Sequence, residues 1–228
     1  MSLRNLFRRR IVAIFVIIIS LTMNAQVKKL PAPSFTGGMP MNEVIASRHS
    51  VRDFDTSRPV DDNTLGQLLW MALGVNRPDS TEVKFERKAN RSNPTALNYQ
   101  EIHAYVFDKD GVWQYLPDSH SLTMVKSGDH RPLIAGTAEF KQDFAVTAPL
   151  TVVFVADLTN LPDDSRVQYM AMTDAGIACE NLNLACASLG LATVPRATMD
   201  TAGISSLLGF TARQIPLLNN PVGYPAAR

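Results

Sequence analysis

The sequence predicts an α+β domain, on three observations. Leu150 to Ala156 is an unbroken apolar run of the kind that buried strands show. Glu101 to Phe107 and Val112 to Tyr115 flank Asp110-Gly111, a hairpin signal. Arg166 to Leu189 holds a helical pattern rich in small residues and is closed by Gly190. Taken in order, Gln26 to Pro40 is punctuated by proline and glycine and reads as a linker. Met41 to Ser47 reads as a short helix, and Thr64 to Leu73 as a second one ended by Gly74. The stretch 76–93 is long, polar and charged, a loop of the functional or mobile kind. Residues 117–147 are mixed and yield no assignment.

Composition sets bounds on partners and compartment. A formal net charge of +1 and the lack of any basic stripe with interleaved aromatics argue against nucleic acid. No internal repeat, zinc-type spacing or P-loop occurs. Arg4, Arg8, Arg9 and Arg10 precede the apolar run Ile11 to Leu21, which passes into Met23-Asn24-Ala25-Gln26. That is the layout of a secretory signal over residues 1–25, cut after Ala25, and the run is shorter than the roughly twenty residues a membrane span needs. The expectation is an exported, periplasmic protein. An uncleaved membrane anchor is the alternative, because Met23 is a poor residue three positions before the bond. The arginines also permit a twin-arginine route, although the strongly apolar run favours the general one. The expected organisation is a signal (1–25), a linker (26–40) and one domain (41–228), of a size that supports a sizeable core. Cys179 and Cys186 are seven residues apart in the helical pattern, about 10 Å along an axis, so they are expected to be buried thiols rather than a disulfide.

The residues that carry chemistry begin with Arg48-His49-Ser50-Val51-Arg52. If this run ends a helix, Arg48 and Arg52 leave from one face, with the Ser50 hydroxyl between them. Guanidinium forks suit phosphate oxygens bidentately, so an anion cradle is one reading. Solvated arginines paired with Asp53, Asp55 or Glu43 are the other. His49 beside Ser50 invites a hydrolase reading, but adjacent helical residues diverge and no G-x-S-x-G elbow surrounds the serine. His103, His120 and His130 lack metal-ligand spacing, and no metal is expected. Trp70 and Trp113 read as core or interface residues.

Four segments in order resemble one family. Ala46 to Phe54 is similar to the R-x-S-x-R/K-x-F opening of the FMN-dependent nitroreductases. Pro94-Thr95-Ala96-Leu97-Asn98-Tyr99-Gln100 is similar to their P-S-[SA]-x-N-x-Q segment before a strand. Asp174-Ala175-Gly176 through Asn181 to Leu189-Gly190-Leu191 and Pro195 resembles their small-residue helix ending in G-L-x-x-x-P. Pro221 to Pro225 resembles their final strand and G-Y-P turn. The resemblance implies an α-β-α sandwich with a central mixed sheet and flanking helices, assembled as an intertwined homodimer with the long helix in its core.

It further implies bound FMN. Arg48 and Ser50, with His49 between them, would hold its phosphate and ribityl chain, and Arg52 would approach the N1 and C2 carbonyl edge. Pro94, Thr95 and Ala96 would shape the wall, Asn98 would bond the pyrimidine edge, and Arg228 would join the phosphate site. The turn from Pro195 through Arg196 to Ala197 and Thr198 would present its backbone to N5, with no catalytic side chain. The implied activity is two-electron, ping-pong transfer from NAD(P)H or another donor to nitroaromatic or quinone-like acceptors. Ala197-Thr198 departs from the Glu-Gly that several members carry, so a carboxylate near the flavin is absent. That departure keeps open a second reading, a non-catalytic flavin-binding or scaffold module. Thr95 replaces the usual serine but keeps the hydroxyl.

Overall fold

The computed structural model describes residues 26–78 and 89–227. The expected signal (1–25), Arg228 and most of the polar stretch 76–93 lie outside them. Among the described residues five helices, α1 (Met41–Ser47), α2 (Asp62–Leu73), α3 (Pro132–Ala135), α4 (Ser165–Ser188) and α5 (Thr201–Leu208), flank a seven-stranded sheet. Its strands are β1 (Val27–Lys29), β4 (Ile102–Asp108), β5 (Gly111–Leu116), β6 (Ser121–Ser127), β7 (Leu150–Asp157), β8 (Ala192–Thr193) and β9 (Gln214–Gly223). They stand in the order β1-β6-β5-β4-β7-β9-β8. A separate ribbon pairs β2 (Val75–Arg77) with β3 (Asn90–Arg91).

Side-chain alternation explains the layers. Ile102, Ala104, Val106, Val152, Phe154 and Ala156 point to one face, where α2 and α4 cover them. Tyr105, Phe107, Val153 and Val155 point to the other, against Ile134 of α3 and Ile204 of α5. Burial on both faces is why Leu150 to Ala156 reads as a continuous apolar run. The α2 helix is capped by the Asp61 carboxylate, which accepts from the Thr64 N–H at 2.9 Å, and buries Leu65, Leu68, Leu69, Ala72 and Leu73 on one stripe. Asp164 caps α4 in the same way through the Arg166 N–H at 2.8 Å. Ala171, Ala175, Ala178 and Ala185 bring α4 close over the sheet, and both thiols on it are free and buried. Burial pushes the Cys179 thiol up to about 12.

Two expectations change. The sheet is antiparallel at every pairing rather than mixed. Strands β7 and β8 run the same way, joined by α4 as in a parallel crossover, but β9 fills the place between them and turns one parallel pair into two antiparallel ones. The segment read as a linker is fastened to the domain. Its β1 pairs with β6, Leu30 is buried with its N–H on the His120 carbonyl at 3.0 Å, and the Ser34 N–H meets Gln67 Oε1 at 2.8 Å.

Candidate active site

The Arg48 run reaches its position without helical spacing. Helix α1 stops at Ser47, and Arg48 is already extended (φ −61°, ψ 119°), so the i,i+4 geometry expected for Arg48 and Arg52 does not apply. Tertiary contacts align the run instead. The Val51 N–H donates to the Thr193 carbonyl at 2.9 Å, Phe54 bridges Pro225, and the Ala226 N–H meets the Asp53 carbonyl at 3.2 Å. The run thereby forms one wall of a cavity of about 890 Å³. Arg48, His49, Ser50 and Arg52 all line it. The facing walls come from Asn183 and Ala187 of α4, the turn Gly190 to Thr193, Phe144 and Pro225 to Ala227.

Polar residues that the sequence reading passed over hold the floor. Arg48 Nε lies 3.9 Å from Glu180 Oε1, and Glu180 Oε2 accepts from Asn183 Nδ2 at 2.9 Å. Asn183 Oδ1 accepts in turn from Asn220 Nδ2 at 2.8 Å, which also donates to Thr193 Oγ1 at 3.2 Å. Asn220 Oδ1 accepts a hydrogen bond from the Cys179 thiol at 3.0 Å. A buried amide costs free energy unless its hydrogen bonds are made, and here they are. The one available signal was Asn219-Asn220 inside an otherwise apolar strand. Adjacent strand residues face opposite ways, and Asn219 serves the other side. Its Nδ2 donates to the Arg196 and Thr198 carbonyls at 3.3 and 3.0 Å, fixing the backbone of the Pro195-to-Thr198 turn.

Pro94, Thr95, Ala96, Asn98 and the turn from Pro195 to Thr198 lie apart from the cavity lining, whereas His49 is on it. His49 Nδ1 bonds the Ser47 carbonyl at 2.7 Å rather than Ser50. Pro195 and Ala197 are exposed, Thr198 is half-buried, and Arg196 is buried with its guanidinium engaged inside the protein. Pro94, Thr95, Ala96 and Asn98 sit against the opposite half of α4. The Ala96 N–H donates to Asp174 Oδ2 at 2.7 Å, and Asp174 is nine positions before Asn183, about 13 Å along the helix. This segment is strained. Leu97, Asn98 and Gln100 have φ of 51°, 56° and 53°, which non-glycine residues adopt at a cost of about 1–3 kcal/mol each. Thr95 Oγ1 accepts the Gln100 N–H at 3.2 Å, and Asn98 Oδ1 accepts Gln100 Nε2 at 2.9 Å. Beneath it lies buried Glu101, whose two carboxylate oxygens meet no hydrogen-bond partner among the described residues. Desolvation, with the Asp174 charge beside it, pushes the Glu101 carboxyl up to about 7, against the opposing pull of Arg91. Among the described residues no cluster of His, Cys, Asp and Glu could hold a metal ion.

The donor set suits an amphipathic cofactor carrying a phosphate. The volume lies within the range of ordinary cofactor pockets, about 300–1,000 Å³. Two guanidinium groups and a hydroxyl line one wall, and Ala187, Leu191, Ala192 and Phe144 supply apolar surface for a flat ring.

Comparison with known proteins gives a consistent result. The model of the nitroreductase family matches residues 45–224. A protein of Methanocaldococcus jannaschii named "putative nitroreductase" is 28% identical over 186 residues, 80% of this chain and 90% of its own length. A crystal structure from Ralstonia eutropha, described in the same words, superposes with a TM-score of 0.74 at 28% identity, covering 89% of this chain and 90% of that one. At the level of fold alone, a Clostridium acetobutylicum structure described as an NADH oxidase of that provisional kind superposes with a TM-score of 0.55 at 19% identity, covering 81% and 89%. With the family match spanning most of its length and the same α+β architecture in its relatives, this chain belongs to the nitroreductase family of oxidoreductases.

Proposed function

We propose that the protein is an exported, homodimeric, FMN-dependent oxidoreductase that takes electrons from NAD(P)H or another donor and passes them to nitroaromatic or quinone-like acceptors. The observation that carries this reading is the cavity in which Arg48, Ser50 and Arg52 converge on apolar walls. Arg48 and Ser50 would hold the phosphate and ribityl chain, and Arg52 the pyrimidine edge. Bound FMN would supply two-electron chemistry at N5, so donor and acceptor would occupy the pocket in turn. Asn219 holds the carbonyls of Arg196 and Thr198, so the turn assigned to N5 stays rigid in the protein's own hydrogen bonds. Within one chain the Pro94 to Asn98 segment does not reach the cavity, and a second copy offers a way to bring it there. Exposed apolar residues favour such a contact: Tyr169 and Met172 on α4, Ile45 on α1, which packs against α4, and Leu97 beside Ala96.

Native mass spectrometry of protein recovered from the periplasm tests cleavage, assembly and cofactor together. The expected species is twice the mass of residues 26–228 plus two FMN. A monomer, a retained leader or a flavin-free protein each removes the matching part of the proposal. Photoreduced holoprotein is then expected to lose its reduced spectrum within seconds on adding a quinone or nitroaromatic. Persistence of that spectrum with every acceptor supports the non-catalytic flavin-binding reading, which the Ala197-Thr198 departure favours.

A further inference from the structure

Arg196 is a buried cation whose hydrogen-bond partners are all neutral. Its guanidinium donates from Nε to Gln142 Oε1 at 2.8 Å and from Nη1 to Asn219 Oδ1 at 2.9 Å and the Ile134 carbonyl at 3.2 Å. From Nη2 it donates to the Ile134 and Ala135 carbonyls at 3.2 and 3.5 Å. The fork is spent inside the protein, so this group binds no ligand directly. A second cation stands nearby. Arg52 and Arg196 approach the same Phe144 ring, 5.9 and 5.2 Å from its centroid, and both Arg52 and Phe144 line the cavity. Burial and the Arg52 charge bring the Arg196 pKa down to about 10, which leaves it charged at neutral pH. Ions taken from water cost several kcal/mol even when hydrogen-bonded, and like charges held close add to that cost. The aromatic face offsets part of it. A negative charge entering the cavity would offset more.

We propose that Arg196 is a positioning residue for charge: a fixed cation behind Phe144 that, together with Arg52, makes the cavity bind the reduced form of the cofactor more tightly than the oxidised form. The inference rests on the FMN reading above. Two-electron reduction with uptake of one proton leaves the flavin ring with one added negative charge. A cation already held by four neutral groups stabilises that charge without reorganising, which is the condition under which fixed charges act most strongly. Arg196 contributes through its field alone.

The test is the midpoint potential of FMN bound to the full chain, read by reductive titration with dithionite against a reference dye. Arg196→Met removes the charge. Gln142→Glu leaves Arg196 in place and sets a carboxylate where its Nε now meets an amide oxygen. In both, the preference for reduced over oxidised FMN is expected to fall about tenfold, which for a two-electron couple is about 30 mV. Arg196→Lys, which keeps the charge and loses the fork, should stay within about threefold of the starting protein. Unchanged potentials in Gln142→Glu and Arg196→Met overturn the inference, as does a Lys variant that falls as far as the Met variant. Should Arg196→Met not fold, Gln142→Glu alone decides. A parent protein that takes up no FMN fails the cofactor reading itself, and is told apart by its lack of visible absorbance.

Discussion

Glu101→Gln is expected to raise the thermal midpoint of the protein at pH 8 and to leave it nearly unchanged at pH 5. Glu101 is buried with no hydrogen-bond partner for either oxygen among the described residues, and Asp174 adds a second carboxylate. Its folded-state pKa of about 7 stands above the ordinary 4.5, so the folded protein holds this proton more tightly than the unfolded chain. The stabilisation is full below about pH 4.5 and is lost as pH rises through about 7. By pH 8 the loss is on the order of 3 kcal/mol. A glutamine carries no proton to lose, so the gain at pH 8 should reach about 2–3 kcal/mol, or about 5–10 °C for a domain of this size. Equal shifts at both pH values would mean that packing rather than ionisation separates the two proteins.

If the proposed FMN site is right, Arg48→Ala is expected to weaken FMN binding by about 30- to 3,000-fold, measured by fluorescence titration of the stripped protein. Truncating one partner of a hydrogen-bonded charge pair costs about 2–5 kcal/mol, and each 1.4 kcal/mol is tenfold. The loss has two sources. The cavity loses a fork that the structure presents on its wall, and Glu180, 3.9 Å from Arg48 and next to the lining residue Asn183, loses the cation beside it. Adding Glu180→Gln should therefore recover part of the affinity. Retention of FMN by Arg48→Ala at the parent affinity would place the phosphate elsewhere.

What could be read from the chain followed the range of its interactions. Met41 to Ser47 and the apolar run from Leu150 carry local signals, a helix-forming stretch after Pro40 and an unbroken apolar span, and both elements appear where those signals place them. The hairpin turned on Asp110-Gly111 for the same reason. Val27–Lys29 has no pattern of its own, because what makes it a strand is β6, nearly a hundred residues later. Ser121–Ser127 is buried only at its start, and α3 spans four residues, so residues 117–147 offered no legible period. At the site, Arg48, Ser50 and Arg52 were visible as donors. Asn183 was not, since an amide in a helix reads as solvated until its partner Asn220 is brought beneath it. The place of Arg196 after Pro195 says nothing of where its side chain goes, which is inward to Gln142, Ile134 and Asn219.

The adjacent amides of β9 bear on how the protein can be recombined. Asn220 is tied to Cys179, Asn183 and Thr193 on one face of the sheet, and Asn219 to Arg196 and Thr198 on the other. Two consecutive codons thus answer to partners on the α4 helix, on β8 and in the turn that follows it. A chimera that borrows this strand from a relative has to import those partners with it.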